Sequence, residues 1–224
     1  MTALFQNTKA VLFDLDGTLI DSATELAHAV NRMRSIRGLP PLPLEAYRPY
    51  VGSGARGLLP IGLGVGHEDS EFSALREEFF DTYEACIGEA TIPFDGVALL
   101  LQKIELAQLR WGIVTNKVER FAIPIVEKTA AFRNCSALIG GDTTPYSKPK
   151  PEPLLEAATR LHITASECIY VGDDVRDMVA GRAAGMKTVT ALYGYISPSE
   201  NTQNWPADAY IESPLQLTQL LGID

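Results

Sequence analysis

KAVLFDLDGTLIDS, residues Lys9 to Ser22, is an apolar run that stops abruptly at two carboxylates. Its first half, Ala10-Val11-Leu12-Phe13, lacks the alternation of a half-solvated strand and suits one buried on both faces of a parallel sheet. Asp14 and Asp16 are two residues apart, so an extended chain would point both side chains the same way, and Gly17 permits a sharp turn just past them. Acid then sits at the carboxyl end of a strand, where open α/β sheets bind their ligands. Three readings compete. An Asp-Gly turn between apolar residues needs no chemistry. A calcium loop starting at Asp14 would put Glu25 at its twelfth position, but Leu19 stands where that loop requires glycine, which excludes it. The third is a nucleophilic Asp14 with Asp16 as its helper, and it requires the rest of the chain to supply further parts.

Composition narrows the classes. A chain of 224 residues with 46% apolar content can bury a substantial core and fits one domain with an insertion, or one large and one small domain. It contains no run long enough to span a bilayer, and its first residues show no basic region followed by an apolar leader, so a cytoplasmic location without membrane contact is expected. Nineteen Lys and Arg against 28 Asp and Glu give a net charge of −9, which would repel a nucleic-acid backbone, and no basic run offsets it. Cys86, Cys135 and Cys168 are odd in number and widely spaced, so neither a disulfide framework nor a zinc site is indicated. His28, His67 and His162 are equally isolated. The chain is expected as a monomer or homodimer.

After the acidic motif, Ser22 with Glu25 three residues on has the form of a capping box. Leu26, Ala29, Val30, Met33 and Ile36 then recur at helical spacing. The segment Gly38 to Pro43 ends that helix. Shorter helical pieces broken by Gly52-Ser53-Gly54 follow, and Phe72, Leu75, Phe79, Phe80 and Tyr83 mark a second long amphipathic helix. No strand pattern is visible between about 20 and 92. Residues 21–92 therefore read as a helical insertion, with 1–20 and 93–224 forming the main domain, and Pro93-Phe94-Asp95-Gly96 marking the return.

From Val97 the pattern alternates. Helices at Val97–Ala107, Phe121–Thr129, Leu154–Leu161, Met178–Ala184 and Pro214–Leu221 are separated by short apolar runs at Trp111–Val114, Ala137–Ile139, Ile169–Val171 and Thr188–Ala191, with Tyr210-Ile211 as an edge strand. This predicts an α/β fold, a doubly wound parallel sheet of Rossmann type with helices on both faces.

Chemistry-bearing residues fall at the ends of those runs. Thr115-Asn116-Lys117 offers a hydroxyl and an amide for phosphate oxygens, although both are ordinary turn formers. Lys148 lies in Ser147-Lys148-Pro149-Lys150-Pro151-Glu152-Pro153, where prolines stiffen the chain around an ammonium group, although a solvated loop would look the same. Tyr170-Val171-Gly172 leads to Asp173, Asp174 and Asp177. Carboxylates ending a buried strand are costly unless something positive sits there, and Mg2+ prefers such a shell of oxygens completed by water and a substrate phosphate. Asp174 is ambiguous: it either binds a water on the metal or faces solvent near a helix start.

In this order Asp14-x-Asp16, Thr115, Lys148 and Gly172-Asp173 through Asp177 resemble the four motifs of the haloacid dehalogenase-like superfamily of phosphotransferases, over the whole chain. The helices inserted after the first motif look like that superfamily's helical cap. The resemblance implies that Asp14 attacks phosphorus to give an aspartyl-phosphate and that Asp16 serves as acid and then base. It implies that Asp14, the Asp16 backbone carbonyl and Asp173 bind Mg2+ with Asp177 behind them, and that Thr115, Asn116 and Lys148 grip the phosphate.

The second Asp favours phosphate-ester over dehalogenase chemistry. Gly140-Gly141-Asp142-Thr143 followed by Lys148-Pro149-x-Pro151-x-Pro153 is similar to the phosphoglycolate phosphatase group. Trp111 to Lys117, Arg120-Phe121, and Tyr193-Gly194-Tyr195-Ile196 with Trp205 look similar to the N-acetylmuramic acid 6-phosphate phosphatases. Both groups imply a small phosphorylated metabolite as substrate. The alternatives are a sugar-phosphate mutase of the same superfamily and a non-catalytic phosphometabolite-binding protein. Ser53 and Arg56, in and beside the Gly-rich loop, are expected to meet the leaving group if the helices close over the site; an exposed arginine at a helix start is the plainer alternative.

Overall fold

A computed structural model describes residues 4–5, 7–197 and 199–223. The outer limits expected at residues 1 and 224 lie outside the described residues. In chain order the elements are β1 (Ala10–Phe13), β2 (Ile20–Asp21), α1 (Ala23–Ile36), α2 (Leu44–Tyr47), α3 (Ala55–Leu63), α4 (Phe72–Glu84), β3 (Ile92–Pro93), α5 (Val97–Leu106), β4 (Arg110–Val114), α6 (Glu119–Lys128), β5 (Leu138–Ile139), α7 (Glu152–Leu161), β6 (Cys168–Gly172), α8 (Val175–Ala183), β7 (Lys187–Ala191), β8 (Ala209–Ile211) and α9 (Gln216–Leu221).

Six strands form one parallel sheet in the order β5-β4-β1-β6-β7-β8. The acidic strand β1 is central, and all four of its residues are buried. Its pleat explains why: Val11 and Phe13 face a core shared with α5, α6 and α9, while Ala10 and Leu12 face a second core built with α7 and α8. The expected doubly wound α/β sheet is therefore present. No described helix is long and apolar enough to cross a membrane.

Two local expectations need correction. Strands do occur in the helical stretch, because β2 pairs antiparallel with β3, Ile20 opposite Pro93 and Asp21 opposite Ile92. Two residues are too few to give a period-two signal. The capping box at Ser22 is also absent, since the Ser22 side chain makes no cap bond. Its hydroxyl donates to Asp16 Oδ1 at 2.5 Å, while Glu25 accepts from Glu89 N, Ala90 N and Thr91 Oγ1 at 2.9, 3.2 and 2.7 Å. Tertiary partners outcompete the local box, and Glu25 straps α1 to the segment that leads into β3.

Candidate active site

Asp14 leaves the end of β1 with its backbone still in the ladder, its amide donating to Val171 O at 2.8 Å. Immediately beyond, Gly17 has φ +87°, and a Cβ there would lie 2.1 Å from Asp173 Oδ2, so both the turn and the close approach demand glycine. The parallel pairing of β1 with β6 brings Asp173, at the end of β6, beside Asp14. Asp177 joins them from the first turn of α8. One carboxylate oxygen of each of Asp14, Asp173 and Asp177 lies within 4.8 Å of the others.

Lys148 reaches into this cluster with a side chain 2% exposed. Its Nζ is 2.8 Å from Asp14 Oδ1 and 2.7 Å from Asp177 Oδ1. It also donates to Val114 O at 3.0 Å and to Tyr170 Oη at 2.7 Å. The contact with Asp14 is an ion pair whose direction leaves that buried oxygen without an aligned hydrogen-bond donor. Burial works against the Lys148 charge, but Asp14 and Asp177 outweigh it and raise its pKa. One ammonium cannot balance three carboxylates. Burial, with repulsion from Asp14 and Asp177, pushes Asp173 well above the usual carboxylate range. Burial also pushes Asp177 up to about 7 despite Lys148. The orphaned oxygen and the uncompensated charge are what a bound cation would relieve, so the three carboxylates fit a metal site.

Asp173 is held from two other sides. Thr18 Oγ1 donates to its Oδ1 at 3.1 Å, and the Tyr195 amide donates to its Oδ2 at 2.7 Å. Asp174 loses its ambiguity: its side chain caps α8 by accepting from Arg176 N at 2.8 Å, and Asp177 Oδ2 reciprocates by accepting from Asp174 N at 3.1 Å. Arg176 then clasps the Asp174 carboxylate with Nε and Nη2 at 2.8 and 2.7 Å. Its Nη2 also donates to Gly52 O at 2.8 Å, reaching the segment that precedes α3.

The side chain of Asp16 stands apart from the carboxylate cluster. Besides the Ser22 hydroxyl, it receives Lys117 Nζ at 2.8 and 3.0 Å on its two oxygens. The Lys117 side chain is 8% exposed, and its Nζ sits 4.9 Å from the Tyr83 ring centroid. Burial opposes its charge, and Asp16 more than restores it. Thr115 Oγ1 accepts from Lys117 N at 3.1 Å. The Asn116 amide, which its place at a strand end assigns to phosphate, is instead spent on Lys148. It accepts from Lys148 N at 2.9 Å and donates to Lys148 O at 3.0 Å, bracing the loop that carries the ammonium.

These groups open into a cleft of about 600 Å³. Its floor holds Asp14, Asp16, Thr115, Lys148, Asp173 and Asp177. Its roof comes from the helical stretch, including exposed Ser53 and Arg56 with Arg76, Phe79, Phe80 and Tyr83. Lys117, Ser22, Thr18 and Arg176 join the residues singled out from sequence. Lys117 had a signal as the last residue of the Thr115-Asn116-Lys117 run and Ser22 as the first of the S-x-x-E pattern, but neither signal pointed to Asp16; the Lys117 pairing with it bridges 101 positions.

A family model described as haloacid dehalogenase-like hydrolase matches residues 11–191. The chain belongs to that family. It is 47% identical over 210 residues to a phosphoglycolate phosphatase of Xanthomonas campestris pv. campestris (strain 8004), covering 93% of this chain and 94% of the relative. It is also 41% identical over 213 residues to an N-acetylmuramic acid 6-phosphate phosphatase of Pseudomonas aeruginosa, covering 95% and 94% of the two chains. The crystal structure of a predicted phosphoglycolate phosphatase from Haemophilus somnus 129pt superposes with a TM-score of 0.81 over 95% of this chain and 99% of that one. At 24% identity, that likeness speaks to the fold alone.

Proposed function

We propose that this chain is a magnesium-dependent phosphomonoesterase that hydrolyses a small phosphorylated metabolite, phosphoglycolate or a sugar phosphate such as N-acetylmuramic acid 6-phosphate, through an aspartyl-phosphate. The observation that carries this reading is the clustering of Asp14, Asp173 and Asp177 around Lys148 at the floor of the cleft, with Asp16 held separately beside them. The names of the relatives supply the two substrate candidates.

Asp14 attacks phosphorus, a bond forms between its carboxylate oxygen and phosphorus, and the ester P–O bond breaks. Asp16 enters this step as the neutral acid, protonated in place of its ion pair with Lys117, and gives that proton to the departing alkoxide. It then removes one from the water that attacks the aspartyl-phosphate, so that inorganic phosphate leaves and Asp14 is restored. Lys148 and Thr115 hold the phosphoryl oxygens, and Asn116 holds Lys148 in place. Mg2+ would be held by Asp14, the Asp16 carbonyl and Asp173 with Asp177 close by, and would supply Lewis-acid neutralisation of negative charge there. Residues 21–92 act as a cap over a core of 1–20 and 93–224, with Ser53 and Arg56 meeting the alcohol portion of the substrate.

The test is phosphate release from a panel of phosphorylated metabolites with Mg2+ or with EDTA, for wild type, Asp14→Asn and Asp16→Asn. Asp14→Asn should lose several orders of magnitude on every substrate. Asp16→Asn should lose roughly 10²- to 10⁴-fold on an alkyl phosphate and less on 4-nitrophenyl phosphate, whose leaving group needs no proton. A tenth of wild-type turnover in Asp14→Asn would overturn the mechanism. Isomerised sugar phosphate in place of free phosphate would make the protein a mutase.

A further inference from the structure

Helix α1 starts beside the acid–base residue, and its hydrogen bonds are not those its sequence calls for. In a capping box the Ser22 hydroxyl would accept from a first-turn amide while Glu25 accepted from the Ser22 amide. Neither bond is made. The Ser22 amide donates instead to Tyr195 Oη at 2.7 Å, and the Ala23 amide donates to the same oxygen at 3.1 Å. Tyr195 Oη donates its own proton to Asp21 Oδ1 at 2.8 Å. A phenol has one donor and two acceptor sites, so this hydroxyl is fully used and its orientation fixed.

The Tyr195 loop is equally well seated. Its amide is bound to Asp173, and a Cβ at the preceding Gly194 would lie 2.3 Å from Asp173 Cβ, so this segment lies flush against the cluster. Tyr195 is 8% exposed, and Arg48, paired to Asp21 Oδ2 at 2.9 Å, lies 5.9 Å from its ring centroid.

We propose that the Tyr195 hydroxyl, by accepting from the Ser22 and Ala23 amides and donating to Asp21, fixes the start of α1 so that Ser22 Oγ is aimed at the Asp16 carboxylate. Tyr195 is thus a positioning residue for the proton-transfer step, and this rests on the phosphatase reading above. Without the phenol oxygen the Ser22 amide loses its acceptor, while the Ala23 amide keeps Asp21 Oδ1 at 3.1 Å. Glu25 stays committed to the Glu89, Ala90 and Thr91 donors, so the start of α1 is left without its tether and the serine hydroxyl is no longer held towards Asp16. Asp16 would keep Lys117 on both oxygens but lose the hydroxyl that shares Oδ1 with it.

The experiment compares Tyr195→Phe, Ser22→Ala and the double variant on phosphoglycolate and on 4-nitrophenyl phosphate with Mg2+, beside a crystal structure of Tyr195→Phe. Each single variant should lower kcat on phosphoglycolate about tenfold with a smaller loss on the aryl ester, since proton delivery is only part of the 10²- to 10⁴-fold that a general acid supplies. The double variant should be no worse than the poorer single one, because both act through one hydrogen bond. Losses that multiply, or equal losses on both esters, overturn the proposal. A Ser22 Oγ still bonded to Asp16 in the Tyr195→Phe crystal overturns it whatever the activity, while absence of phosphate release by wild type overturns the phosphatase reading instead. If Tyr195→Phe does not fold, Tyr195→His, aromatic but too short to reach the α1 amides, is read in the same way.

Discussion

Lys148 is one positive charge among Asp14, Asp173 and Asp177, and two consequences follow at the scale of that residue. Lys148→Met keeps length and removes charge, so it leaves buried carboxylates unpaired. Breaking a buried ion pair in this way costs about 3–5 kcal/mol, roughly 10 °C of melting temperature for a chain of this size. Mg2+ should restore much of the loss, because it places positive charge among the same oxygens; calorimetry with and without Mg2+ checks both statements. The second consequence concerns pH. Asp177 rises from 3.8 to about 7 on folding, and Asp173 moves in the same direction. Between those values the folded protein retains a proton on Asp177 that the unfolded chain has released, so stability falls as pH rises from about 4 to about 7, and Asp173 adds a loss in the same direction. Mg2+ competes with that proton, and its stabilisation should therefore grow across the same window. Melting curves in EDTA should decline towards pH 7 while those in Mg2+ stay nearly flat. Parallel curves would mean that these carboxylates do not share a cation.

At the scale of elements, the most informative helix starts are α1 and α8. The sequence pattern S-x-x-E predicts a box at Ser22–Glu25, yet the working box is Asp174–Asp177, reciprocated on both sides. Periodicity made the helices and the sheet strands legible because burial imposes 3.6- and two-residue repeats. It gave the acid at the ends of β1 and β6 for the same reason. It could not reveal which partner a polar side chain finds, since Glu25 and the segment that donates to it are 64 to 66 positions apart and Tyr195 and Ser22 are 173 apart. Glu25→Ala should accordingly destabilise far more than an ordinary surface change. It strands two backbone donors and the Thr91 hydroxyl at a site 1% exposed, at a cost of about 3 kcal/mol. Glu25→Gln keeps an acceptor oxygen and should lose clearly less. Equal losses, measured by denaturant unfolding, would show that packing and not the strap accounts for the effect. Asp174→Ala removes the cap of α8, about 1 kcal/mol, together with the carboxylate that Arg176 clasps, so a much larger loss would point to that link.

At the scale of the whole molecule, the helices between β2 and β3 roof the cleft, and besides the Arg176–Gly52 bond two kinds of contact fasten α4 to α6. One is apolar: the Phe80 and Tyr83 rings on α4 each meet the Phe121 ring on α6 edge-on at 5.3 Å. The other is ionic: Arg120 on α6 donates to Asp81 and Glu84 on α4. The two kinds are equal in number, but Arg120 is 41% exposed with partners at 74% and 48%, so water and salt screen the ion pairs. Phe121 is 3% exposed and also lines the cleft. Truncating a buried Phe costs about 3–5 kcal/mol through lost burial and the cavity left behind. Phe121→Ala should therefore lower the melting temperature by roughly 10 °C. It should also raise KM, because the roof above the catalytic floor loses its seat. Arg120→Ala should shift the melting temperature little, and the shift should vanish at high ionic strength. If Arg120→Ala proves as damaging as Phe121→Ala, or if its effect persists in high salt, the ionic contacts hold the helices in place and the aromatic seam is secondary.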